Sequence, residues 1–170
     1  MPITYEPIAT TTLGTAAASV TFSTISGAYT DLVLVLQTSS SHSASNAVIM
    51  QFNNDTGSNY SLTRIIGDGS SATSDRFSSV TSIDAGFLPA NNGTGNGTII
   101  ANIMNYSNAT TYKTVLGRWE SMNAASGSRY TVAEVGLWRN TSAITEIDLK
   151  FVTGNLVAGS TFTLYGIKAA

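Results

Sequence analysis

The longest unbroken apolar run in this chain is five residues, Leu32 to Leu36. Shorter or mixed runs such as Val48 to Phe52 and Thr161 to Ile167 are cut off on both sides by Ser, Thr, Asn and Gly. A core helix needs about 10–12 residues with apolar positions three and four apart, whereas a strand needs only about 4–8. No dozen residues here keep the helical spacing, and Gly, Thr and Val stand where helix formers would be needed. The chain therefore reads as all-β. Ser, Thr, Asn and Gly make up 74 of the 170 residues, a share that could describe a disordered linker. With 42% hydrophobic residues, however, there is enough apolar surface to fold.

The spacing predicts about ten strands: Ser19 to Ile25, Asp31 to Thr38, Ala47 to Phe52, Tyr60 to Ile66, Arg76 to Phe87, Gly97 to Tyr106, Tyr112 to Glu120, Tyr130 to Arg139, Ile144 to Val152 and Thr161 to Lys168. The segments between them are rich in residues that tolerate positive φ or form side-chain turns. Without crossover helices, neighbouring strands must pair antiparallel, which points to a jelly-roll-type β-sandwich. Leu32 to Leu36 is apolar on both faces and belongs inside a sheet. In Ile144 to Val152, by contrast, Glu146, Asp148 and Lys150 alternate with Ile147, Leu149 and Phe151, giving one wet face and one dry. Residues 1–18, with Pro2, Pro7 and three successive threonines from Thr10, read as an extended arm able to cap an edge or reach a neighbour. Residues 19–170 form a single domain.

Charge excludes several functions. Only 11% of residues are charged and the net charge is −2, with the basic residues scattered singly, so no footprint for a nucleic-acid backbone exists. Zero cysteines rule out disulfides, thiolate metal sites and a cysteine nucleophile. No apolar run approaches the ~20 residues of a membrane span, and the first residues lack a signal-peptide pattern, so cytoplasmic synthesis without membrane insertion is expected. Seven Asn-x-Ser/Thr triplets, beginning at Asn54, are incidental in so hydroxyl-rich a chain.

Catalytic constellations are sparse. The single histidine, His42, sits among serines in a loop with no nucleophile elbow around it, and reads as a surface residue. Glu120, Glu134, Glu146 and Asp148 fall in predicted strands and could supply a glycosidase acid pair, but their spacing is that of ordinary face charges. Asn53 to Asn59 and Gly67-Asp68-Gly69 offer one carboxylate each and suit Asx turns better than a cation site. Gly93 to Gly97 lacks the lysine of a phosphate loop. No catalytic residue, metal site or cofactor is expected. Tyr60, Tyr106, Tyr112, Trp119, Tyr130 and Trp138, near strand ends, are the candidates for contact with a glycan or a partner subunit; core packing is the competing reading for each ring.

Several stretches carry a resemblance along nearly the whole chain. They are Tyr5 to Thr10, Tyr29 to Leu34, Phe52 to Ser61, Asn105 to Thr114, Val135 to Arg139 and Gly159 to Lys168. Together they resemble a family of structural proteins of tailed bacteriophages, common in aquatic and cyanobacterial phages. The resemblance implies a non-enzymatic virion protein made in the host bacterial cytoplasm, either a capsid decoration (cement) protein or a tail-fibre module recognising host surface glycans. No stalk is seen between Met1 and Ala170, which favours direct seating on the capsid. The partners so implied are the chain itself, as a homotrimer, and phage capsid or tail proteins.

Overall fold

The computed structural model describes residues 4–38, 46–88, 97–122 and 129–168. Among them there are twelve strands and no helix. They are β1 (Tyr5–Thr12), β2 (Ser19–Phe22), β3 (Asp31–Thr38), β4 (Asn46–Phe52), β5 (Tyr60–Gly67), β6 (Ala72–Val80), β7 (Ile83–Leu88), β8 (Gly97–Met104), β9 (Lys113–Met122), β10 (Arg129–Trp138), β11 (Ile147–Phe151) and β12 (Thr161–Ile167). They form two antiparallel sheets, one of eight strands in the order β1-β12-β3-β8-β9-β10-β5-β6 and one of four in the order β2-β11-β4-β7.

The sheets face each other because each has one dry side. In β8 the inward residues Ile99, Ala101 and Ile103 are fully buried or nearly so, as are Leu32, Leu34 and Leu36 of β3 beside it. Across the core stand Val48, Met50 and Phe52 of β4 and Ile147, Leu149 and Phe151 of β11. Each such side chain contributes about 1.5–3 kcal/mol by leaving water. β3 lies between β12 and β8, so its outward Val33 and Val35 are also largely covered. In β11 the polar Asp148 and Lys150 alternate with the three buried apolar residues.

Consecutive strands from β2 to β5 alternate between sheets, and β7 and β11 each return to the smaller one. Neighbours within a sheet are thus often distant in sequence; β12 sits between β1 and β3. β7, at one edge of the smaller sheet, packs across β8, β9, β10 and β5 of the larger. There, a close approach requires glycine: a Cβ on Gly136 of β10 would stand 2.8 Å from Ile83 Cγ2.

Within residues 1–18, expected as an extended arm able to cap an edge or reach a neighbour, Tyr5–Thr12 is strand β1, which pairs antiparallel with β12 at the edge of the larger sheet. Pro7 and a bulge between Pro7 and Ala9 blunt that edge against further pairing. The single strand predicted from Arg76 to Phe87 is two, β6 and β7, in different sheets. Ser79 is a left-handed bulge residue (φ 55°) opposite the Tyr60–Ser61 step, β6 ends one residue later at Val80, and bends at Thr81 and Ser82 separate it from β7. The strand predicted from Ile144 to Val152 is shorter, β11 running Ile147–Phe151, because the Ile144 amide is spent on the Tyr106 carbonyl at 2.9 Å and the Thr145 and Glu146 amides on Asn53 Oδ1.

Candidate functional site

The six candidate rings separate by burial. Tyr60, Tyr106 and Trp138 have no exposed surface, and Trp119 is 4% exposed, so these four are core residues and offer nothing to an external ligand. Trp138 stacks on Tyr60 with centroids 6.3 Å apart and tilts against Phe52 at 5.5 Å. Tyr130 is half-buried, and Tyr112 alone of the six is freely exposed, at 54%.

The polar tips of the buried rings explain why they sit at strand ends. Trp138 Nε1 donates to Asp55 Oδ2 at 2.7 Å, and the same carboxylate accepts the Gly57 amide at 2.9 Å and the Asn59 side chain. Tyr60 donates its hydroxyl to the Asp55 carbonyl at 3.0 Å and accepts the Phe52 amide at 3.0 Å. Burial pushes the Tyr60 hydroxyl up to about 12. Asn53 Oδ1 accepts the amides of Thr145 and Glu146, at 2.9 and 3.1 Å. The Asn53 to Asn59 segment is therefore a hydrogen-bonded corner joining β4, β5, β10 and the approach to β11. Asp68 likewise spends one carboxylate oxygen on its own turn, accepting the Ser70 and Ser71 amides at 2.8 and 2.7 Å. Among the described residues, no group of three or more His, Asp or Glu is arranged to hold a metal ion.

The strand carboxylates are dispersed. Glu120 is exposed on the outer face of β9. Glu146 accepts the Asn54 side-chain amide, and Asp148 accepts the Thr21 hydroxyl at 2.6 Å. His42 and most of the Gly93 to Gly97 loop lie outside the described residues.

Glu134 is different. It lies on the inward side of β10 with Val132, Gly136 and Trp138, and is 4% exposed. In register opposite it on β5 is Arg64, which reaches Asp75 of β6 through Nε at 2.7 Å and Nη2 at 3.0 Å, and Asp84 of β7 through Nη1 at 2.8 Å. The guanidinium also lies 5.2 Å from the Phe77 ring centre. One cation thus serves two carboxylates, while Glu134 Oε2 has no hydrogen-bond partner among the described residues. Burial, reinforced by Asp84, pushes Glu134 up to about 8 against the opposing pull of Arg64. Burial raises Asp84 too, although Arg64 opposes it. Sequence reasoning placed Glu134 among ordinary face charges. The signal that finds it is parity, since Val132, Glu134, Gly136 and Trp138 share one side of a strand.

The outer face of the larger sheet is open among the described residues. Leu116 of β9 stands directly opposite Val135 of β10, and Ala133 opposite Ile65 of β5. Leu116, Val135 and Ile65 are 44%, 50% and 61% exposed. Three shallow depressions run side by side over this face. One of about 250 Å³ lies against Ile100, Arg118 and Glu120, one of about 350 Å³ against Ile65, Leu116 and Val135, and one of about 200 Å³ against Ser61, Arg76 and Leu137. Their linings mix Thr, Ser and aliphatic residues with the charged Arg64, Arg76, Arg118, Glu120 and Glu134 and the rings of Phe77 and Trp119.

Compared with known proteins, the chain matches no protein-family model, and no curated protein is significantly similar to it.

Proposed function

We propose that this chain is a structural protein of a bacteriophage virion that decorates the capsid shell as a homotrimer, packing non-covalently through the outer face of its larger sheet. The observation that carries the reading is the exposed apolar surface of Ile65, Leu116 and Val135 on the outer face of the larger sheet. An exposed contiguous apolar surface on a folded domain marks a contact site for another macromolecule. The resemblance of the chain to phage structural proteins supplies the kind of partner. The strand order adds support. With β9 and β10 read as a hairpin inserted between β8 and β5, the orders β2-β11-β4-β7 and β3-β8-β5-β6 are compatible with a jelly roll, an architecture found in viral capsid domains.

The tail-fibre reading loses its main support, because four of the six rings offered for glycan stacking are buried. An acid-pair enzyme is disfavoured as well: Asp75 and Asp84 are both engaged by Arg64, and Glu134 is enclosed between the sheets.

The test is reconstitution. Purified protein is mixed with capsids lacking it, and bound protein is measured by sedimentation and located by cryo-EM. Stoichiometric binding at capsid threefold positions, lost in the Leu116→Glu, Val135→Lys double variant, is expected. Binding only to tail tips, or a stable monomer in light scattering with no capsid binding, overturns the reading.

A further inference from the structure

We propose that Arg64, Asp75, Asp84 and Glu134 form a proton-dependent latch that holds β7, the edge of the smaller sheet, against β10, β5 and β6 of the larger. Arg64 is the mechanical centre. Its contact to Asp75 on the neighbouring β6 stays within the larger sheet, and its contact to Asp84 on β7 crosses to the smaller one. Beside this contact, Ile83 of β7 lies on the bare backbone of Gly136 of β10, so the polar latch and a close apolar approach are adjacent.

Glu134 is the proton carrier. The groups facing it are few. From β5 comes Arg64, from β6 Asp75, from β7 Asp84, and from β9 its register partner Gly117, which carries no charge. Lys113, the inward cation of β9, is engaged at the far end with the carbonyls of Thr111 and Thr141. Arg64 with its two aspartates already sums to a net negative charge. An ionised Glu134 would add a second negative charge in a site where its Oε2 finds no donor. Keeping the proton removes that repulsion.

The direction of the pH effect follows from linkage. Glu134 ordinarily titrates at 4.5 and in the folded chain at about 8. Between those values the folded chain holds a proton that the unfolded chain does not. Stability from this group is therefore full below the unfolded value, is lost as pH rises through about 8, and does not change further above it. Asp84, also raised, acts in the same direction. Mild acid tightens the latch, and mild alkali loosens it.

The experiment compares the wild-type chain with Glu134→Gln, which is neutral at every pH. Thermal midpoints of the two should coincide near pH 5, with the wild type falling below the variant by about 5 °C near pH 9. At that higher pH, amides of β7 should exchange at least several-fold faster in the wild type than in the variant. A direct measurement needs no variant to fold: with ¹³C-carboxyl glutamate labelling of the wild type, which has four glutamates, one resonance should titrate near pH 8. All four resonances titrating in the ordinary carboxylate range would overturn the latch, as would midpoints that differ by the same amount at every pH. Neither result bears on capsid binding, which is measured separately.

Discussion

The Trp138 indole donates to the Asp55 carboxylate at 2.7 Å, tying the last residue of β10 to the corner between β4 and β5. Burial disfavours the Asp55 charge, but the hydrogen bonds from Trp138, Asn59, Gly57 and Asn140 outweigh it and hold the carboxyl below its ordinary 3.8. A depressed carboxyl stabilises the fold above its unfolded pKa, and that stability is lost as pH falls through the folded value. Asp55→Ala should cost about 1–3 kcal/mol at pH 7, since these four donors lose their acceptor. Urea unfolding of variant and wild type should show the gap narrowing below about pH 4. The trend is opposite in sign to that of Glu134.

Gly136→Ala introduces a methyl group 2.8 and 2.9 Å from Ile83 Cγ2 and Cδ1. Neither backbone can retreat without opening the contact between sheets. A loss of about 1–3 kcal/mol is expected. Adding Ile83→Val, which removes Cδ1, should restore part of it in a double-mutant cycle of denaturant midpoints.

Lys113 is fully buried, with its ammonium donating to the carbonyls of Thr111 at 2.7 Å and Thr141 at 3.1 Å. Burial lowers its pKa below the ordinary 10.5. Lys113→Met keeps the apolar stem but leaves both carbonyls without this donor, so a loss of about 1–3 kcal/mol is expected. Faster amide exchange confined to the turns on either side of β9 and β10 would identify the cause.

The outer-face pair should behave differently. Leu116→Glu with Val135→Lys puts opposite charges on directly paired, exposed positions. Unfolding free energy should stay within about 0.5 kcal/mol of wild type. Capsid binding should disappear, while unfolding cooperativity should be unchanged.

The strands were largely legible because burial writes its period into the chain. Leu32, Leu34 and Leu36, or Ile147, Leu149 and Phe151, announce a dry strand face on local evidence alone. The break between β6 and β7 was not legible, because Arg76 to Phe87 has no turn residue strong enough to mark it. The interruption is a bend at Thr81 and Ser82, just after the left-handed bulge at Ser79, and it follows from the demand of two different sheets for the two halves. The aromatic candidates erred for a related reason: proximity to a strand end does not reveal whether a ring points into the corner beneath the loop, as Tyr60 and Trp138 do, or away from it, as Tyr112 does.

What the residue order determined by itself was the all-β class, the positions of most strands and the scarcity of conventional catalytic groups. These follow from interactions between residues close in sequence: alternation, turn chemistry and charge density. Tertiary structure alone decided that Arg64, Asp75, Asp84 and Glu134 meet, since they lie on four strands of two sheets. It also decided that Leu116, Val135 and Ile65 form one exposed surface. Both outcomes depend on strand order and register, and those are set by how the whole set of dry faces can be closed against one another.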